Sequence, residues 1–242
     1  MKDWFADWFN SPYYHILYKN RDYKEAEIFI SNLVKHLTPT DQSRFLDLAC
    51  GKGRHSIFLN SLGYDVTGVD LSENSIAYAK QFENNRLHFF THDMRKPIKN
   101  DKFNYILNLF TSFGYFETEE DNQKTISAMA ASLEKGGKII IDFFNAHKVI
   151  ACMVHTETKS IDGIDFHISK RLENGYIIKQ IEFSDTGKAY RFYEKVQALK
   201  LSDFQKYFSR AGLGITAQYG NYLLHEFDEK QSDRLIFVAE LV

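Results

Sequence analysis

A carboxylate and two glycines cluster near residue 50, at a spacing that could hold a nucleotide-like ligand. Phe45, Leu46, Leu48 and Ala49 form an apolar run that reads as a short buried strand with Asp47 inside its end. Gly51 and Gly53 follow, permitting a turn in which main chain can approach a ligand. From Arg54 the apolar residues Ile57, Phe58 and Leu62 fall at helical spacing, so a helix amino end follows the glycines. The free N–H groups and dipole of such an end favour a carboxylate or phosphate.

A second carboxylate narrows the ligand. Tyr64 to Asp70 is a β-branched, apolar strand ending in Asp70, placed to accept hydrogen bonds from ribose hydroxyls. A dinucleotide fingerprint would be Gly-x-Gly-x-x-Gly, but Ser56 stands where its last glycine belongs, which weakens a pyrophosphate reading. Asp47 has no use for a pyrophosphate and could hold an ammonium group, directly or through water. An ammonium, a carboxylate, a ribose and an adenine together describe S-adenosylmethionine.

The elements that must position these residues carry a family resemblance. Leu46 to His55 and Gly68-Val-Asp70-Leu71-Ser72 resemble the first two motifs of the class I S-adenosylmethionine-dependent methyltransferases of small-molecule type. The likeness continues through His92-Asp93-Met94, Phe103 to Asn108 and Leu133 to Ile139, covering roughly residues 40 to 145 as an ordered set. His55 departs from it, since many members carry a third glycine there. The resemblance implies an α/β fold: a doubly wound, Rossmann-like seven-stranded sheet of order 3-2-1-4-5-7-6. It implies a methyltransferase that uses S-adenosyl-L-methionine. It also implies cofactor contacts at Asp47, Ala49, Cys50, Gly51, Gly53, Asp70 and Leu71, with Asp93 on the adenine amino group and Met94 over the ring. Asn108, Leu109 and Phe110 would lie under the transferring methyl group, and Tyr14 or Tyr18, on an amino-terminal lid, would bond the cofactor carboxylate.

The remaining chain fits around that core. Residues 1–37 are dense in aromatics, including Trp4, Phe5, Trp8, Phe9, Tyr13, Tyr14, Tyr18 and Tyr23, and read mainly as amphipathic helix packed on the sheet. Asn10-Ser11-Pro12 marks a helix start, and a second helix over Tyr23 to Leu37 has Ala26, Ile30, Leu33, Val34 and Leu37 on one face. Helices are also expected after Ser72, from Glu119 to Leu133, and from Leu201 to Ala211. Strands are expected at Leu87 to Phe90, Phe103 to Leu109, Lys138 to Phe143, Ile215 to Tyr219 and Leu235 to Leu241. Between the fifth strand and the last helix, four strand-like runs are separated by Asp162-Gly163, Asn174-Gly175 and Asp185-Thr-Gly187 turns. These read as an inserted antiparallel meander over 151–199, splitting the core into 1–150 and 200–242. It would cap the pocket or pair subunits in a homodimer, with His167, Tyr176, Arg191 and Tyr193 as candidate substrate contacts.

Composition bounds the function. A chain of 242 residues with 44% hydrophobic and 26% charged residues can bury one substantial core. It shows neither a membrane-length apolar run nor a signal-peptide layout, so a cytoplasmic protein is expected. Cys50 and Cys152 suggest neither a disulfide framework nor a metal site. A net charge of −2 without a Lys/Arg cluster favours a small-molecule acceptor over nucleic acid. So does Asn108-Leu-Phe-Thr111, which lacks the prolines of the Asp/Asn-Pro-Pro-aromatic tetrapeptide that amino-group methyltransferases acting on nucleic acids often carry. A metal pair of Asp142 and Asn145 can be imagined, but nothing completes the set and no metal is expected; His147 reads as a solvent-facing residue at a helix start ahead of a general base near the pocket. The expected chemistry is direct displacement at a sulfonium methyl by a nitrogen or an oxygen, with no covalent enzyme intermediate. A non-catalytic S-adenosylmethionine-binding protein and an NAD-dependent oxidoreductase are the alternatives.

Overall fold

The computed structural model describes residues 8–19, 23–99 and 101–242. Trp4 and Phe5 lie outside the described residues, as does the side chain of Tyr23. Alternation of apolar strands with helices produces a seven-stranded sheet. Its members are β1 (Arg44–Leu48), β2 (Asp65–Asp70), β3 (Leu87–Thr91), β4 (Phe103–Asn108), β5 (Leu133–Phe144), β10 (Leu213–Tyr219) and β11 (Arg234–Leu241). Their spatial order is 3-2-1-4-5-11-10, the order expected from the sequence once the meander strands are set aside. The first five strands pair in parallel, while β11 runs antiparallel to both β5 and β10.

Parallel strands need crossovers, and the helices that supply them cover both faces. On one face α2 (Tyr23–Leu37) places Phe29, Ile30, Leu33 and Leu37 against Phe45, Val66, Leu107 and Ile140. α3 (Arg54–Ser61) and α4 (Glu73–Ala79) add Leu59, Ile76 and Ala79 to that layer. On the other face α5 (Glu119–Ser132) and α7 (Leu201–Arg210) bring Ile126, Met129, Phe204 and Phe208 onto Leu46, Ile106, Ile139 and Phe237. β1 and β4 are neighbours, so the loops leaving them, Ala49–Gly53 and Leu109–Gly114, emerge side by side at the carboxyl edge. In an open α/β sheet that edge is where ligands sit.

One boundary and one packing partner differ from the sequence reading. Residues 133–137 are expected to terminate a helix, yet β5 begins at Leu133, pairing with Phe103, and slips register before Tyr105 meets Lys138. Gly137 permits this, because a Cβ there would stand 2.7 Å from the Asn104 carbonyl oxygen. The amino-terminal helix α1 (Pro12–Leu17) is capped by Ser11 as expected. It packs on the meander, however, and not on the large sheet.

That meander is a second, four-stranded antiparallel sheet of β6 (Thr156–Ile161), β7 (Ile164–Glu173), β8 (Tyr176–Asp185) and β9 (Lys188–Gln197). Its three turns each have consecutive left-handed residues, Asp162-Gly163, Asn174-Gly175 and Thr186-Gly187, the geometry that matches strand twist in two-residue hairpins. Phe166, Ile168, Ile181 and Phe183 on one face join Trp8 and Leu17 in a third hydrophobic cluster. A short helix α6 (Ala146–Ala151) leads into it from β5. Among the described residues no helix is long and apolar enough to cross a membrane.

Candidate functional site

A cavity of about 470 Å³ opens where the carboxyl ends of β1, β2 and β4 meet the lid helix α1 and strand β9. Its floor is the glycine loop. Ala49 and Gly51 both take left-handed backbone (φ 61° and 56°), and a Cβ on Gly51 would meet nothing within 4 Å, so this stretch presents bare main chain to the cavity. Gly53 serves differently: its missing Cβ leaves room for the Phe89 ring, which would otherwise be 2.7 Å away, and Gly53 does not line the cavity. The expectation of a ligand at both glycines is thus narrowed to Gly51.

Asp70 reaches back over that loop. One carboxylate oxygen accepts the Gly51 N–H at 2.8 Å and the other the Ser72 N–H at 2.8 Å. Burial pushes its pKa up, opposed by the Ser72, Gly51 and Leu71 amides, and a carboxylate with about four acceptor sites still has capacity for a hydroxyl. Ser72 caps α4 through its Oγ and also donates to Asn10 Oδ1 at 2.5 Å, joining this edge to the lid.

Asp47 sits beneath the loop, fully enclosed and outside the cavity wall. Ser56 Oγ donates to it at 2.6 Å, so the residue standing in place of the third glycine of a dinucleotide fingerprint serves a buried carboxylate. Burial pushes the Asp47 pKa up to about 7 in spite of that bond. A direct contact between Asp47 and a ligand ammonium, one of the two routes expected from sequence, does not fit this placement.

The β3 and β4 ends complete the core side. Asp93 and Met94 line the cavity, and Asp93 is gripped by Arg95, whose Nη2 stands 2.7 Å from Oδ2. Burial would raise the Asp93 pKa, but the Arg95 hydrogen bonds hold it below the usual carboxylate range. Asn108 is fully buried and donates to the Leu48 carbonyl at 3.1 Å, while its Oδ1 has no hydrogen-bond partner. It braces β4 against β1 and does not reach the cavity, whereas Leu109 and Phe110 do.

Phe110 and Thr111 are both left-handed (φ 56° and 61°) and are pinned from β5 and β11. Asp142 accepts the Phe110 N–H at 2.8 Å, Arg234 Nε at 2.7 Å and the Tyr222 hydroxyl at 3.2 Å, and Arg234 also donates to Thr111 Oγ1 at 3.0 Å. The Phe110 ring stacks on Tyr222, faces His55 at 4.9 Å and carries the Arg54 guanidinium at 4.6 Å. Burial, then the Arg54 charge, lowers the His55 pKa to about 3; burial, then Lys52, lowers that of His15 to about 4. Asp142 is thereby committed to the loop, and Asn145 caps α6 and donates to the Glu229 and Ser232 carbonyls. His147 is exposed at the α6 start and does not line the cavity, which agrees with the solvent-facing reading and not with a general base.

The roof is aromatic. Phe9, Tyr14, Tyr18, Tyr115 and Phe116 line it, with Phe9 edge-on to Tyr115 at 5.4 Å. Tyr14 and Tyr18 therefore reach the cavity, but the Tyr18 hydroxyl donates to Glu194 at 2.5 Å, and Tyr13 Oη to Asp185 at 2.8 Å. Of the meander residues, the cavity takes only Glu194, and His167, Tyr176, Arg191 and Tyr193 lie outside it. A signal for Glu194 existed: in β9 the alternation Tyr190, Phe192, Glu194, Val196 puts a carboxylate on an otherwise apolar face.

The residues present fit S-adenosylmethionine, on the bare Gly51 main chain and the free lone pairs of Asp70. Residues 45–137 match the family described as Methyltransferase domain. Over 209 residues the chain is 27% identical to dTDP-3-amino-3,4,6-trideoxy-alpha-D-glucopyranose N,N-dimethyltransferase of Streptomyces venezuelae, covering 81% of this chain and 86% of that protein. It is 33% identical over 129 residues to a glycine/sarcosine N-methyltransferase of Aphanothece halophytica, covering 50% of this chain and 46% of the relative. A solved S-adenosylmethionine-dependent methyltransferase from Clostridium acetobutylicum superposes with a TM-score of 0.79 at 22% identity, covering 98% and 97% of the two chains. The matched segment spans the glycine loop, Asp70 and the β4 end, the same elements that build the cavity, and the chain belongs to the class I S-adenosylmethionine-dependent methyltransferases.

Proposed function

We propose that this chain methylates the nitrogen of a small-molecule amine. The cofactor, when bound, supplies an electrophilic methyl group on a sulfonium centre. In this reading Ala49 to Gly51 lie along its amino-acid tail, with Tyr14 and Tyr18 above. Asp70 takes the sugar hydroxyls, and Leu71, Asp93 and Met94 surround the adenine. Leu109 and Phe110 shape the reacting end. Gly53, Asp47 and Asn108 support these contacts from below.

The observation that carries the nitrogen assignment is the state of the three imidazoles on the cavity wall, of which His92 is tied through Nε2 to the Lys96 carbonyl at 2.8 Å. With pKa values lowered to about 3 and about 4, His55 and His15 are neutral and weakly basic at neutral pH. Such groups are poor bases for a hydroxyl acceptor, whereas a neutral amine attacks with its own lone pair and needs alignment and exclusion of water. The names of the two relatives, both N-methyltransferases, support the same choice. So does the aromatic roof, whose ring faces favour a nitrogen that becomes cationic.

The test is formation of S-adenosylhomocysteine by purified protein against paired amines and alcohols. The panel includes dTDP-3-amino-3,4,6-trideoxyglucose, glycine and sarcosine, with products resolved by mass spectrometry. N-methyl products are expected, and O-methylation without N-methylation would reverse the assignment.

A further inference from the structure

Three carboxylates line the cavity, and the cofactor reading uses two of them, Asp70 and Asp93. The third, Glu194, enters from β9. Its Oε1 accepts Trp8 Nε1 at 2.8 Å and the Tyr18 hydroxyl at 2.5 Å, and its Oε2 faces Lys179 Nζ at 3.5 Å. Both side chains of this ion pair are only 13% exposed.

The carboxylate is the counter-charge of Lys179, whose Nζ also donates to the Tyr18 hydroxyl, but a clasp of the lid onto the meander would not by itself need an ion pair. Trp8 against Phe192 at 4.7 Å and Tyr13 against Phe183 at 4.6 Å already join the lid to the meander, and a neutral amide could accept from Trp8 and Tyr18 equally well. Holding a carboxylate and an ammonium out of water costs several kcal/mol per ion, by rough estimate, so a largely buried pair is a poor device for stability alone. The Oε2 contact with Lys179 is longer than a good charge-assisted hydrogen bond, which leaves that oxygen able to accept from a ligand. On its own strand Glu194 is flanked by Phe192 and Val196 on the same face, so no second acid shares the task.

We propose that Glu194 is the specificity-determining carboxylate for the acceptor, its Oε2 accepting the N–H of the amine. This rests on the amine reading above. A nitrogen that gains a methyl group gains a positive charge, and a fixed carboxylate facing it stabilises that charge in a site shielded from water. Trp8 and Tyr18 hold Oε1, which fixes the direction of Oε2. Lys179 balances the pair until an acceptor arrives.

The experiment needs no turnover. The full chain, saturated with S-adenosylhomocysteine, is titrated by calorimetry with dTDP-3-amino-3,4,6-trideoxyglucose and, separately, with glycine. Glu194→Gln is expected to weaken the amine that binds wild type by tenfold or more, and to raise its KM more than it lowers kcat. Affinity for S-adenosylhomocysteine should stay within twofold. Lys179→Met keeps the carboxylate and removes its competitor, so amine binding should tighten severalfold, an outcome that a structural clasp would not give. Equal amine affinity in wild type and Glu194→Gln, or parallel weakening by both variants, overturns the inference while leaving amine methylation standing. Wild-type protein that binds neither amine overturns it as well, and O-methylation alone in the paired panel shows that the amine reading is what failed.

Discussion

The carboxylate of Asp142 accepts the main-chain N–H of Phe110 at 2.8 Å, where β4 runs into two consecutive left-handed residues. Each such non-glycine residue costs about 1–2 kcal/mol in backbone strain, so the loop persists only because β5 and β11 hold it. The hold is electrostatic, since Arg234 Nε lies 2.7 Å from Asp142 in a pair whose carboxylate is fully buried. Asp142→Asn or Arg234→Met alone should therefore destabilise the protein by about 3–5 kcal/mol, because each strands a buried partner. The double variant should lose clearly less than the sum. Urea denaturation of all four proteins gives the coupling, and strict additivity would mean the pair does not act as a unit.

Much of this arrangement was legible in the chain. The glycine loop, Asp70 and the hairpin turns follow from local patterns: an apolar run into glycines, a strand ending in an acid, and left-handed turn residues between alternating runs; the strand order comes only with the family resemblance. The surface on which the lid helix packs is not legible, because amphipathicity reveals that a helix has an apolar face, not which surface covers it. Trp8 and Tyr13 meet Phe192 and Phe183, far away in sequence. The clamp on Phe110 was hidden for the same reason: Asp142, Tyr222 and Arg234 converge only once β11 pairs with β5. Period-two alternation did mark Glu194 as a charge on an apolar face, but alternation alone does not disclose the cavity.

Close packing beside the site predicts an effect on a ring of the neighbouring strand. A Cβ on Gly68 would lie 2.5 Å from the Phe89 ring and 2.8 Å from Ser56 Oγ, the hydroxyl that serves Asp47. Gly68→Ala should cost about 1–3 kcal/mol by overpacking. Phe89→Leu in the same chain should recover part of that loss, giving a favourable coupling in a thermal-melt cycle. Independent, additive losses would show that the ring is not what the glycine makes room for.

Buried titratable groups set opposing pH dependences. Asp47 rises from an ordinary 3.8 to about 7 in the fold, so its contribution is complete below about pH 4 and is lost as pH climbs through 7. His55 falls from 6.5 to about 3, so its contribution is complete above about pH 6.5 and is lost as pH drops toward 3. Between about pH 4 and 6.5 the two slopes cancel, each one proton or about 1.4 kcal/mol per pH unit. Asp47→Asn should gain on wild type with each unit of rising pH across 4 to 7, and His55→Gln with each unit of falling pH below 6.5. Denaturation midpoints measured from pH 4 to 8 check both signs, and parallel curves for variant and wild type would remove these groups from the account.

Asp70 ties the Gly51 N–H to the Ser72 N–H, so it both shapes the cavity floor and offers lone pairs to a sugar. Asp70→Ala removes both functions, leaving two main-chain donors without their acceptor, a loss of about 1–3 kcal/mol for each unmade bond. Asp70→Asn keeps one oxygen and turns the other position into a donor that clashes with whichever amide it faces. Affinity for S-adenosylmethionine should thus fall at least tenfold in both, further in Ala than in Asn, as read by calorimetry on folded protein. The two contributions separate on comparison with adenosine: if Asp70 acts on the sugar, adenosine binding falls alongside the full cofactor. If it acts only by bracing the loop, adenosine binding is spared while the compound with the amino-acid tail is lost.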